Sequence, residues 1–128
     1  CYGTPGISRA LQQAAAVLAD TALQRTAEEA LAACLTDPAQ MSQVTSAGLC
    51  HGIAGIYQTA WRAAHDALTP AIRGRLPDLA GLLSRHSTQT AREPGLLDGA
   101  AGLTLAQHTA AGPARTPLSG WDACMLID

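Results

Sequence analysis

The chain has 128 residues, of which 48% are hydrophobic and 14% charged, with a formal net charge of −2. That length bounds it to one domain, and scattered arginines at near-neutral charge exclude a nucleic-acid surface, which needs a clustered basic stripe. No apolar run approaches a membrane span and no signal-peptide pattern opens the chain, so a cytoplasmic protein without a transmembrane segment is expected.

Taken in chain order, Ile7, Leu11, Ala14, Ala15 and Leu18 fall on one helical face, and Leu23, Ala27, Ala30, Leu31 and Cys34 form a second such stripe. Asp37-Pro38 ends that helix. Tyr57, Trp61, Ala64 and Leu68 mark a third helix. Thr69 as N-cap and Pro70 at the first helical position open a fourth segment, broken at Pro77 and resumed through Leu79, Leu82 and Leu83. A fifth helix is expected from about Ala100 to Ala111, stopping at Gly112-Pro113. No stretch alternates as a strand would, and the expected class is all-α, built from helix pairs.

Much of the hydrophobic fraction is alanine, with no Phe and only two Trp and two Tyr. Such small side chains pack helices closely but give thin cores, which favours many neighbouring helices and a larger parent protein. The chain opens at Cys1 inside a motif and not at Met, and is read as a piece of a longer polypeptide. All eight basic residues are Arg, and Lys and Asn are missing, so a GC-rich coding sequence and a bacterial source are expected.

Three segments share G-x-x-G, an aliphatic residue and a helix: "CYGTPGISRAL", "CHGIAGIYQTA" and "LDGAAGLTLAQ". The pairs Gly3/Gly6, Gly52/Gly55 and Gly99/Gly102 are offset by 49 and then 47 residues. One such pair is only a tight turn. Three in register at about 48 residues signal stacked helical hairpins, in an open solenoid or a closed ring.

The register bears on the cysteines. Cys1 and Cys50 occupy the same repeat position, where the third unit has Leu97, so they are expected to lie close in space. Adding His51 gives two Cys and one His, three zinc-type ligands with one position open, the pattern of a catalytic and not a structural zinc. Cys34 and Cys124 have no partner at ligand spacing and read as packing residues, and without a secretory signal disulfides are not expected. His65 and His108 sit within helical segments and His86 near a helix end, where solvated or capping roles are commonest. Asp98 directly precedes a helix and reads as its N-cap.

"CYGTPG", "CHGIAG", "GLLDGAAG" and the terminal "WDACMLID" resemble the successive C-terminal motifs of the lanthionine synthetase C-like (LanC) family, over most of the chain. The resemblance implies an α/α toroid of seven inner and seven outer helices, of which residues 1–128 would supply the C-terminal portion, about two and a half hairpins of seven. It implies one zinc, held by Cys1, Cys50 and His51, with Tyr2 matching an active-site tyrosine. On its own Tyr2 reads as a half-buried packing aromatic.

The activity implied is a lanthionine synthetase (cyclase). It adds peptide cysteine thiols to dehydroalanine or dehydrobutyrine and so closes (methyl)lanthionine rings in lantibiotic-type peptides. The partners implied are a dehydrated precursor peptide and a dehydratase, separate or fused. The family's acid/base histidine, an active-site aspartate and an arginine would lie upstream of Cys1, so these residues alone are expected to be catalytically incomplete. Two alternatives stay open: a LanC-like protein that adds glutathione or another thiol to dehydroamino-acid sites, and a non-catalytic helical repeat module with structural zinc.

Overall fold

The structure is a computed structural model that describes residues 3–86, 94–112 and 118–127. It is all-α. The helices are α1 (Thr4–Leu18), α2 (Thr21–Thr36), a single turn α3 (Pro38–Met41), α4 (Ile53–Asp66), α5 (Leu76–His86) and α6 (Ala100–Ala111), with 3-10 segments at Arg73–Arg75 and Leu118–Met125. Helices α1 and α2 form one antiparallel hairpin and α4 and α5 a second, while α4 packs against both α1 and α6. The three helices headed by glycine pairs therefore stand side by side.

Local chemistry sets the hairpin. Helix α1 stops at Ala19 in the left-handed conformation (φ 55°), whose N–H returns to the carbonyls of Ala15 and Ala16. Asp20 at once caps α2, its carboxylate accepting from the N–H groups of Ala22 and Leu23. Asp37 likewise ends α2 and caps α3, with Pro38 in the first turn, where its missing N–H costs nothing.

The core runs between the hairpins through Leu31, Ile53, Trp61, Ile72, Leu83 and Leu103. Tyr57, Trp61 and Ala64 are buried as the third stripe requires, whereas Leu68 lies beyond the end of α4 and is exposed. Two sequence expectations are corrected here. No α-helix opens at Thr69-Pro70, and Pro77 does not break one. Residues 67–72 are irregular, and α5 begins at Leu76 with Pro77 in its first turn, where a proline is tolerated.

The stripe on α1 is also corrected. Ile7, Leu11 and Leu18 are exposed, and the buried face of α1 is Ser8, Arg9, Gln12 and Ala15. The polar side chains can be buried because they satisfy one another. The Arg9 guanidinium donates to Gln12 Oε1 at 2.7 Å and pairs with Asp66 at 2.7 Å. Gln12 Nε2 donates to Glu28 Oε1 (3.0 Å) and to the Ala63 carbonyl (3.1 Å). Glu28 also accepts from Gln24 Nε2 (2.9 Å) and, through Oε2, from the Leu68 N–H (3.0 Å).

A similar arrangement docks the C-terminal segment. Asp122 is fully buried and receives Arg62 Nε (2.7 Å), Arg62 Nη2 (2.6 Å) and Gln58 Nε2 (2.5 Å), while Arg62 rests 5.6 Å from the Trp61 ring. Arg9 Nε donates to the Ile127 carbonyl at 2.7 Å. No described helix is long and apolar enough to cross a membrane.

Candidate metal centre

The site is built by the glycine register. Gly3, Gly52 and Gly99 are the N-caps of α1, α4 and α6, all in extended backbone (φ/ψ −80/178°, −124/−174° and −123/−168°). The second glycine of each later pair has a different task. A Cβ on Gly55 would collide with the Leu49 carbonyl, and one on Gly102 with the equivalent carbonyl of Leu96. The loop before each helix thus folds back over its first turn.

That fold-back satisfies the donors a helix start leaves open. In α4 the N–H groups of Ile53, Ala54 and Gly55 reach the carbonyls of Ser46 (3.0 Å), Ala47 (3.3 Å) and Gly48 (3.3 Å). In α6 the Gly102 N–H reaches Gly95 O at 3.4 Å. Cys50 and His51 are left at the apex of the first loop. Neighbouring loops are then tied together, since the Cys50 N–H donates to Leu97 O at 2.9 Å.

Cys50 Sγ lies 4.0 Å from His51 Nε2. Zinc bonds of about 2.3 Å to sulfur and about 2.0 Å to imidazole span that separation, so the pair fits one zinc ion. The Asp98 carboxylate joins them. Donor atoms of Cys50, His51 and Asp98 all lie within 4.8 Å of one another, the one group of this kind among the described residues. His51 and Asp98 are exposed and Cys50 is half-buried. Cys50 and His51 open on a cavity of about 1010 Å³ whose lining also includes Leu97, Thr59 and Met125.

Asp98 is therefore not the N-cap expected from the sequence. Gly99 takes that position, with no side-chain cap hydrogen bond. Cys124 is not a packing residue either. It is exposed, lines the same cavity, and its Sγ–H points to the Trp121 carbonyl at 3.4 Å. Cys34 is buried as expected. Burial and the charge of Asp37 push its thiol pKa up, against a smaller opposing hydrogen bond with Thr4, and a protonated buried thiol is a poor ligand.

His65 is exposed on α4, its ring bonded at 2.8 Å to the Trp61 carbonyl, and His108 is exposed on α6. His86 lies in the last turn of α5. Cys1 and Tyr2 lie outside the described residues, though Gly3 lines the cavity. Sequence reasoning missed both Asp98 and the C-terminal wall from Cys124 to Ile127. A signal for Asp98 was present, because it stands directly before the first glycine of its pair, as His51 does.

Fold and site together define an all-α hairpin-repeat protein with a Cys-His pair directly before the N-cap of α4. The chain belongs to the lanthionine synthetase C-like protein family, whose model matches residues 1–126. Comparison with curated proteins and with solved structures returned no match.

Proposed function

We propose that this chain is the zinc-bearing part of a lanthionine cyclase, joining peptide cysteine thiols to dehydroalanine or dehydrobutyrine. The observation that carries the reading is the convergence of Cys50 and His51 on an open cavity, within a chain of this family. Cys50 and His51 would hold the metal, with Cys1 as the further ligand the family resemblance implies. A zinc ion bound there supplies the charge that lets a thiol lose its proton near neutral pH, where a free thiol (pKa about 8.5) keeps it.

The chain's own residues supply the setting. Leu49 and Ile56 on the cavity wall exclude water from one side, and Thr59 offers a hydroxyl there. The C-terminal segment, anchored through Asp122, adds Met125 to Ile127 to the lining. The added carbon–sulfur bond leaves a carbanion at the α-carbon that needs a proton, and the group that gives it is assigned upstream of Cys1. The exposed face of α1, with Ile7, Leu11 and Leu18, supports a place for a further hairpin against it.

The non-catalytic reading requires a fourth protein ligand beside Cys50. Asp98 offers one oxygen, but an exposed carboxylate is exchangeable, unlike the closed thiolate and imidazole sets of structural zinc. The test is to incubate the protein, as residues 1–128 and with its upstream hairpins, with a dehydrated precursor peptide. Thiol alkylation and mass spectrometry then count the free cysteines, because cyclisation leaves the mass unchanged. The extended protein is expected to protect cysteines, its Cys50→Ala variant and residues 1–128 alone are not. Protection that persists in Cys50→Ala rejects the assignment, and consumption of added glutathione in place of ring closure selects the thiol-adding alternative.

A further inference from the structure

We propose that Asp98 is an exchangeable ligand of this metal centre, a carboxylate that holds the position a thiol later takes. The inference rests on the reading of Cys50 and His51 as a zinc centre and adds a group that the sequence motifs do not assign. In the repeat frame Leu97-Asp98-Gly99 superimposes on Cys50-His51-Gly52, so Asp98 holds the place of His51 one hairpin further on. The two loops are held edge to edge by the Cys50 N–H to Leu97 O bond. Gly48 allows that approach, because a Cβ there would come within 2.9 Å of Asp98 Cα.

The carboxylate has no competing role. It is exposed, it does not cap α6, and among the described residues it enters no hydrogen bond or ion pair. Its oxygen lies instead within 4.8 Å of donor atoms of both Cys50 and His51. Charge permits the exchange: thiolates from Cys1 and Cys50 with a neutral His51 imidazole already balance a divalent cation, and a thiolate that replaces the Asp98 carboxylate leaves the net charge of the site unchanged. Softness makes it exchangeable. Zinc accepts oxygen ligands, but sulfur suits it better, so an arriving thiol displaces the carboxylate and gives its own proton to solvent.

The prediction has two arms of opposite sign. Zinc affinity of the full chain is measured by competition with a chromophoric chelator for the unmodified protein, Cys50→Ala, Asp98→Asn and Asp98→Ala. Asp98→Ala is expected to weaken zinc binding about 10- to 100-fold, with helical circular dichroism unchanged. N-acetylcysteine is then titrated onto the cobalt-loaded proteins, following the sulfur-to-cobalt charge-transfer band. Without the carboxylate to displace, Asp98→Ala and Asp98→Asn are expected to bind this thiol about tenfold more tightly.

Zinc affinity unchanged in Asp98→Ala but lost in Cys50→Ala overturns the role of Asp98 and leaves the metal centre standing. Weakened zinc with unchanged or weaker thiol binding also overturns it, because Asp98 would then only orient His51. Zinc binding indifferent to Cys50 removes the centre itself, and the proposal with it.

Discussion

Leu49 fills the space that a side chain at position 102 would need: a Cβ on Gly102 would lie 2.6 Å from Leu49 Cδ1, besides striking the Leu96 carbonyl. Backbone on one side and a buried leucine on the other leave nothing able to yield. Gly102→Ala is therefore expected to destabilise the fold by about 1–3 kcal/mol, toward the upper end of that range. Gly81, exposed within α5, meets nothing within 4 Å, and Gly81→Ala is expected to stabilise by about 0.5–1 kcal/mol. Urea unfolding of the two variants checks both signs.

The Asp122 carboxylate gives a pH prediction. Burial alone would raise its pKa, but the hydrogen bonds from Arg62 and Gln58, with the charge of Arg62, outweigh this and hold it below the ordinary carboxylate range. A lowered folded-state pKa means that the unfolded chain binds the proton more readily. The stability it contributes is complete above the ordinary pKa of about 3.9 and is lost as pH falls through the lowered value. Asp122→Ala is expected to cost about 3–5 kcal/mol near pH 7, since it removes the carboxylate from a largely buried ion pair with Arg62. The gap from the unmodified protein should close only below about pH 4. Urea titrations across pH read this directly, and a gap already closed at pH 6 would assign the stabilisation to another group.

Glu28 accepts from Gln12 and Gln24 side chains and from the Leu68 N–H while only 4% exposed. Glu28→Gln replaces one acceptor oxygen by an NH2 that must face another donor. The expected loss is about 1–3 kcal/mol. Glu28→Leu would test whether the network or mere burial matters: a variant more stable than Glu28→Gln would show that the unpaired polar atom was the damage.

For the metal centre, Cys50→Ala and His51→Ala are expected to lower zinc occupancy after dialysis, whereas Cys34→Ala and Cys124→Ala are not. Removal of zinc by a chelator should lower the thermal midpoint of the unmodified protein, because a ligand that binds only the folded state stabilises it. Cys50→Ala should show no such shift. Inductively coupled plasma mass spectrometry and a thermal melt decide the two points.

The helices were legible where local chemistry decides them. The helix expected from about Ala100 to Ala111 is observed at Ala100–Ala111, because Gly112-Pro113 gives it a clear stop, although its N-cap is Gly99 and not Asp98. The glycine register was readable because a Cβ on Gly52, Gly55 or Gly102 would strike backbone, which no other residue tolerates there. The face of α1 was not. Periodicity assigns the inside to Ile7, Leu11 and Leu18, yet Arg9 and Gln12 are buried because partners 16, 51 and 118 residues away satisfy them. Single-helix patterns carry no trace of such distant partners. Asp98 was misread for a related reason: a preference for capping is local, and the neighbouring loop that draws its carboxylate beside His51 is not.

The clasp between Arg9 and Ile127 has a consequence for biosynthesis. The two residues are 118 positions apart. At translation speeds of about 5–20 residues per second, roughly 6–24 s separate their entry into the growing polypeptide. During that interval the guanidinium of α1 has no carbonyl from the tail to meet, and water must serve it. The first hairpin can form as the ribosome proceeds, but the cavity acquires its last wall only after the tail has emerged. Anything that enters the site earlier meets an open ledge without the wall from Met125 to Ile127.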